Sequence, residues 1–188
     1  MVASFLALAL LVAQEPSAPA VDACAKLIPK AVQQVVAEHV GTYDLPRESD
    51  NLPDDIRFDR SRGGTGCLGV AVGRFLGKPT NDYALLVTAH PDEYVLLLLV
   101  TKSGGAWRIE LLHDMGKSTR NRLFVATLPP GHYKEYDCCE PGEPRVAPDG
   151  SVRQFTSARP GIGMGLIEAA ESGTFFFKGR WLTLALSD

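Results

Sequence analysis

DYALLVTAHPDEYVLLLLVTKSGGAWRIELLH, residues 82–113, decides the fold. Three runs inside it, 82–89, 93–101 and 106–113, are short, rich in branched and aromatic side chains, and separated by turn-forming residues. His90-Pro91-Asp92 and Lys102-Ser103-Gly104-Gly105 are tight enough to close hairpins, which predicts an antiparallel meander. ALLVTA (84–89) and VLLLLV (95–100) are continuously apolar, the pattern of central strands covered on both faces. In the third run Trp107, Ile109 and Leu111 alternate with Arg108 and Glu110, which marks a strand with one face toward solvent.

Working outward, CLGVAVGRF (67–75) and RLFVATL (122–128) extend the strand pattern on either side, so residues 65–128 read as one β-meander. The C-terminal stretch 151–188 adds GIGMGLIEA (161–169), GTFFF (173–177) and RWLTLAL (180–186), the last two joined as a hairpin across Lys178-Gly179. Three consecutive rings, Phe175 to Phe177, require that one face outward unless the strand is covered on both sides, either by the N-terminal helix or by a bound partner. Between the strand blocks, 129–150 holds five prolines and three glycines and reads as a long irregular loop.

Toward the N-terminus, residues 21–41 carry Leu27, Ala31, Val35 or Val36, and Val40 at helical spacing, an amphipathic helix that Pro29 kinks or starts and Gly41 ends. Residues 42–64 form a charged connector. Its core, 44–62, has six acidic and four basic residues and room for one helical turn after Pro53. The expected fold is α+β: one N-terminal helix packed on an antiparallel sheet or sandwich of seven to eight strands, forming a single domain over 21–188.

Residues 2–13 are apolar at eleven of twelve positions, too short to span a membrane but the length of a signal-peptide core. Ala18-Pro19-Ala20 places small residues where signal peptidase needs them, so residues 1–20 read as an export signal, although no Lys or Arg precedes the apolar run. Removing them takes away only Glu15 among the charges and leaves no transmembrane anchor. A periplasmic or secreted location makes the four cysteines disulfide candidates. Cys24 and Cys67 pair either with members of the adjacent Cys138 and Cys139, or with each other while the other two stay free. Lipidation at Cys24 is disfavoured by Asp22, and zinc by the lack of Cys-x-x-Cys and His spacing.

With 19 basic against 22 acidic residues and no basic-aromatic stripe, the chain is a poor nucleic-acid binder. Lys117, Arg120 and Arg122 form the one basic cluster and a candidate binding patch. Asp50, Asp54, Asp55 and Asp59 lack the spacing, central Gly and closing Glu of an EF-hand loop. His39, His90, His113 and His132 are scattered. Cys138 or Cys139 with His132 is the nearest approach to a nucleophile and base, and disulfide bonding explains those cysteines better. Gly161-x-Gly163-x-Gly165 lacks the helix and Lys of a phosphate loop and reads as a tightly packed strand. No catalytic residue, metal site or cofactor is expected.

VGRFLGKPTNDYALLV (72–87), preceded by GCLGVA (66–71), resembles the G-D-F-N-G-D-G-x-x-D-Y-A-V-L-L pattern of bacterial exported proteins related to FG-GAP and VCBS repeats. Gly41 to Pro46 is similar to a PGYRLP-like segment of that family, and GTFFFKGRWLTLALSD (173–188) to its ending. The resemblance implies a calcium-like loop, whose matching positions are Arg74, Leu76, Lys78 and Asp82. One carboxylate beside two cations does not satisfy a dication that takes six or more oxygens, so only the strand-turn-strand role is expected to survive. The resulting expectation is a non-enzymatic binding or accessory protein of the bacterial envelope, with a protein or envelope component as partner. An immunity or inhibitor protein using 129–150, and a hydrolase built on the acids of 44–62, are the alternatives.

Overall fold

Gly104 (φ 59°) and Gly105 (φ 86°) close a two-residue turn that returns the chain from β4 (Tyr94–Ser103) into β5 (Ala106–Asp114). Side chains with a Cβ resist that left-handed backbone, which is why the sequence spends two glycines there. The computed structural model describes residues 21–40, 42–117, 120–136 and 152–187. β3 (Asp82–Ala89) pairs antiparallel with β4 from Tyr83↔Val100 to Ala89↔Tyr94. Two short strands share the other edge of β3: β1 (Tyr43–Asp44) pairs at Thr88 and Ala89, and β2 (Val70–Gly73) pairs from Leu85 to Asp82.

A second antiparallel sheet has the order β11 (Arg180–Ser187), β10 (Glu171–Phe177), β9 (Gly161–Leu166), β6 (Leu123–Leu128). A separate two-stranded ribbon joins β7 (Gly131–Lys134) to β8 (Gln154–Ser157). The class is α+β and mostly antiparallel sheet, but the described residues form eleven strands in place of seven to eight. The stretch 65–128 is not one meander either, because β6 leaves the first sheet for the second.

Period-two alternation distributes the continuous apolar runs to two cores. Ala84, Leu86, Leu97 and Leu99 meet Leu123, Val125, Ile162 and Met164 of the second sheet. Leu85, Val87, Leu98 and Val100 face the opposite way, onto Cys24, Ile28, Val32 and Val36. Those last four belong to a helical segment broken at Pro29 into α1 (Ala23–Leu27) and α2 (Lys30–Val40). Asp22 caps α1, its carboxylate accepting from the amides of Cys24 at 2.9 Å and Ala25 at 3.0 Å. Each buried valine or leucine contributes about 1.5–3 kcal/mol, so the doubly covered β3–β4 pair is the energetic centre.

The charged connector is more ordered than its composition implies: α3 spans Pro53–Ser61, two and a half turns where one was expected. Pro53 opens it, Asp54 and Asp55 occupy its first turn, and Ile56 is its buried residue. The expected irregular loop 129–150 likewise begins with β7. The cover over the three phenylalanines is the ribbon and not the N-terminal helix, and one ring is left exposed. Phe175 is buried beneath the ribbon with Tyr133 and Phe155 at centroid distances of 4.5 and 5.4 Å, Phe176 packs on Trp181, and Phe177 is 39% exposed.

Cys24 and Cys67 form a disulfide, tying α1 to the residues that lead into β2. Cys138, Cys139 and the expected signal 1–20 lie outside the described residues. Among the described residues no helix is long and apolar enough to cross a membrane.

Candidate binding cleft

β2 and β6 are the facing edges of the two sheets, and they run side by side with little to join them. Among the described residues the seam is held by the Val125 amide donating to the Leu68 carbonyl at 2.7 Å and the Thr127 hydroxyl donating to the Val72 carbonyl at 3.1 Å. Over this seam lies a cleft of about 720 Å³ with a floor that includes Val70, Val72, Phe124 and Ala126.

α3 forms one wall. It is fixed by the Asp59 carboxylate accepting from the Gly66 amide at 2.8 Å, and by Arg60 paired to Glu48 at 2.7 Å. A Cβ on Gly64 would lie 2.1 Å from the Asp59 carboxylate, so the chain can pass that close only as glycine. This anchoring presents Phe58 at the mouth, 63% exposed, with the Arg62 guanidinium 5.5 Å over its ring. The opposite wall is the turn from β9 into β10, carrying Glu168 and Glu171. Burial pushes the Glu171 carboxyl above the usual carboxylate range. Asp55 and Asp59 complete an acidic rim in which, among the described residues, Arg62 is the single cation.

The basic cluster expected as a binding patch sits elsewhere and divides. Arg120 pairs with Asp50 at 2.9 Å and donates to the Thr88 hydroxyl at 3.0 Å and the Asp44 carbonyl at 3.4 Å. Lys117 shares a shallow pocket with Arg120 and lies 5.7 Å over Tyr94, while Arg122 is outside that pocket. The acids of 44–62 divide: Asp55 and Asp59 join the cleft rim, and the other four go into separate pairs. Asp44 pairs with His90, Glu48 with Arg60, Asp50 with Arg120 and Asp54 with Arg57, and the His90 contact holds the Asp44 carboxyl below its usual range.

In the segment 72–87 the chain after β2 is strand-turn-strand, with Gly77 at φ 70° and its amide donating to the Arg74 carbonyl. Asp82 points inward, fully buried, accepting from the Leu76 amide at 3.0 Å, and Arg159 donates to the Leu76 carbonyl. Among the described residues no three His, Cys, Asp or Glu side chains gather to hold a metal. His113 lies between the sheets, 3.4 Å from the Thr174 hydroxyl, and burial favours its neutral ring. Thr174 in turn meets Thr183, so the cluster cross-links the sheets.

Compared with family models, curated proteins and solved structures, the chain matches none of them. The cleft was not foreseen from the sequence because Phe58, Val72, Phe124 and Glu171 come from four separate segments. One signal was available: Phe58 is the sole aromatic residue within the charged stretch 44–62.

Proposed function

We propose that the protein is an exported, non-enzymatic binding domain of the bacterial envelope, related to the FG-GAP and VCBS group, that engages a protein partner through the cleft over the β2–β6 seam. The observation that carries this reading is Phe58, a large ring held 63% exposed at the mouth of an apolar cleft by a helix anchored on both sides. Exposed aromatic side chains beside apolar pockets are favoured anchor points for partners. The Cys24–Cys67 bond is the chemistry of an oxidising compartment and supports export. The dispersal of Asp44, Glu48, Asp50 and Asp54 into separate ion pairs weakens the case for a carboxylate-based hydrolase built on 44–62.

Photo-cross-linking tests the reading. A Phe58→p-benzoylphenylalanine variant expressed in cells should yield a discrete adduct that the same substitution at Tyr94, outside the cleft, does not. Absence of a discrete adduct at residue 58 would overturn it, and turnover in a hydrolase screen would do so independently.

A further inference from the structure

We propose that the cleft takes a basic segment of its partner protein, an apolar side chain packing on Phe58 while a neighbouring lysine or arginine pairs with Glu171. The inference rests on the binding-domain reading above and adds the chemistry of the ligand. Charge complementarity carries it. The ion pairs among the described residues engage Asp44, Glu48, Asp50, Asp54 and Glu135, all outside the cleft. Asp55, Glu168 and Glu171 face the cleft without a cationic partner among the described residues, and Arg62 is stacked on Phe58.

Glu171 is the most informative of the three. Its side chain is only part-exposed, with Oε1 against the strand opposite: a Cβ on Gly163 would lie 2.9 Å from it. A carboxylate withdrawn from water with no cation beside it costs free energy that an incoming ammonium or guanidinium offsets. Phe58, Val72 and Phe124 supply apolar contact next to that charge, so the ligand must be amphiphilic as well as basic. Phosphate backbones and acidic segments are repelled by the same rim. The pairing also fixes the pH response. A bound cation favours ionised Glu171, so affinity should rise with pH as that carboxyl loses its proton, and fall as salt screens the rim.

The probe is a fluorescein-labelled short peptide alternating arginine and leucine, titrated against the full chain by fluorescence anisotropy, with a glutamate-for-arginine peptide as its counterpart. Saturable binding of the cationic peptide is expected, about tenfold weaker in Glu171→Gln and in Phe58→Ala. Lys117→Gln should leave it unchanged, and amide NMR shifts should concentrate on α3, β2 and residues 166–171. Circular dichroism of each variant separates lost binding from lost fold. Equal binding of the acidic peptide, insensitivity to both cleft variants, or self-association through this face that Phe58→Ala abolishes would overturn the proposal. If the peptide fails while the cross-link at residue 58 persists, the charge assignment falls and the binding-domain reading stands; loss of both removes both.

Discussion

Phe175 fills the space that a side chain at position 161 would need: a Cβ on Gly161 would lie 2.3 Å from the Phe175 ring. The ring is fully buried between sheet and ribbon and cannot swing aside. Gly161→Ala should therefore destabilise the protein by about 1–3 kcal/mol, the cost of overpacking a filled core. Urea denaturation checks this. An accompanying Phe175→Leu change should recover part of the loss from Gly161→Ala if the clash is its cause.

The disulfide closes a loop with a sequence separation of 43 residues. Chain-entropy reasoning assigns such a closure about 4 kcal/mol. The Cys24→Ala, Cys67→Ala double variant should melt about 10 °C lower than the parent chain. Thermal unfolding with and without reductant should show the parent falling to the variant's midpoint, and the variant unmoved.

Arg120 is tied to the segment before α3, to β1 and to β3, with its side chain 19% exposed. Arg120→Ala leaves Asp50 unpaired and should cost about 2–3 kcal/mol by chemical denaturation. Arg120→Lys should recover little of this, because one ammonium cannot reach partners arranged for a guanidinium fork. Lys117→Ala should change stability by no more than about 0.5 kcal/mol.

Asp82 gives a pH-dependent signature. Burial raises its carboxyl above 3.8, so between that value and the folded pKa the native state holds a proton that the unfolded chain has lost. Its contribution is full below pH 3.8 and is lost as pH rises through the folded pKa. Asp82→Asn keeps an oxygen to accept from the Leu76 amide and removes the titration. Its stability relative to the parent should climb with pH over that interval and then level off. Parallel denaturation series from acid to neutral pH check it, and a constant offset would contradict it.

Much of the strand pattern was legible because it is written in local terms. Ser103 to Ala106 and Phe177 to Arg180 bracket turns whose glycines have positive φ, and the unbroken run Val95 to Val100 meant two covered faces. The partition into two sheets was not legible, since RLFVATL pairs with residues near 161–166 and nothing local marks so distant a partner. The ribbon escaped notice because its strands are only four residues long and nineteen residues separate them. α3 was under-read through its charge, although Pro53 followed by Asp54 and Asp55 is a helix start by any physical criterion. The candidate cleft is wholly tertiary; Asp55 and Asp59 read as part of a charged connector until the fold set them, with Glu168 and Glu171, beside an exposed ring.

The bond from Cys24 to Cys67 also makes the chain between them a covalent ring, and α3 is part of that ring. Arg57, Arg60 and Arg62 are exposed, so trypsin can reach this helix. A cut there opens the backbone without detaching either end. The nicked protein should run as one band without reductant and as two with it, and Phe58 should remain tethered to the body of the molecule. A protein built this way can lose a peptide bond in α3 and still carry that helix with it.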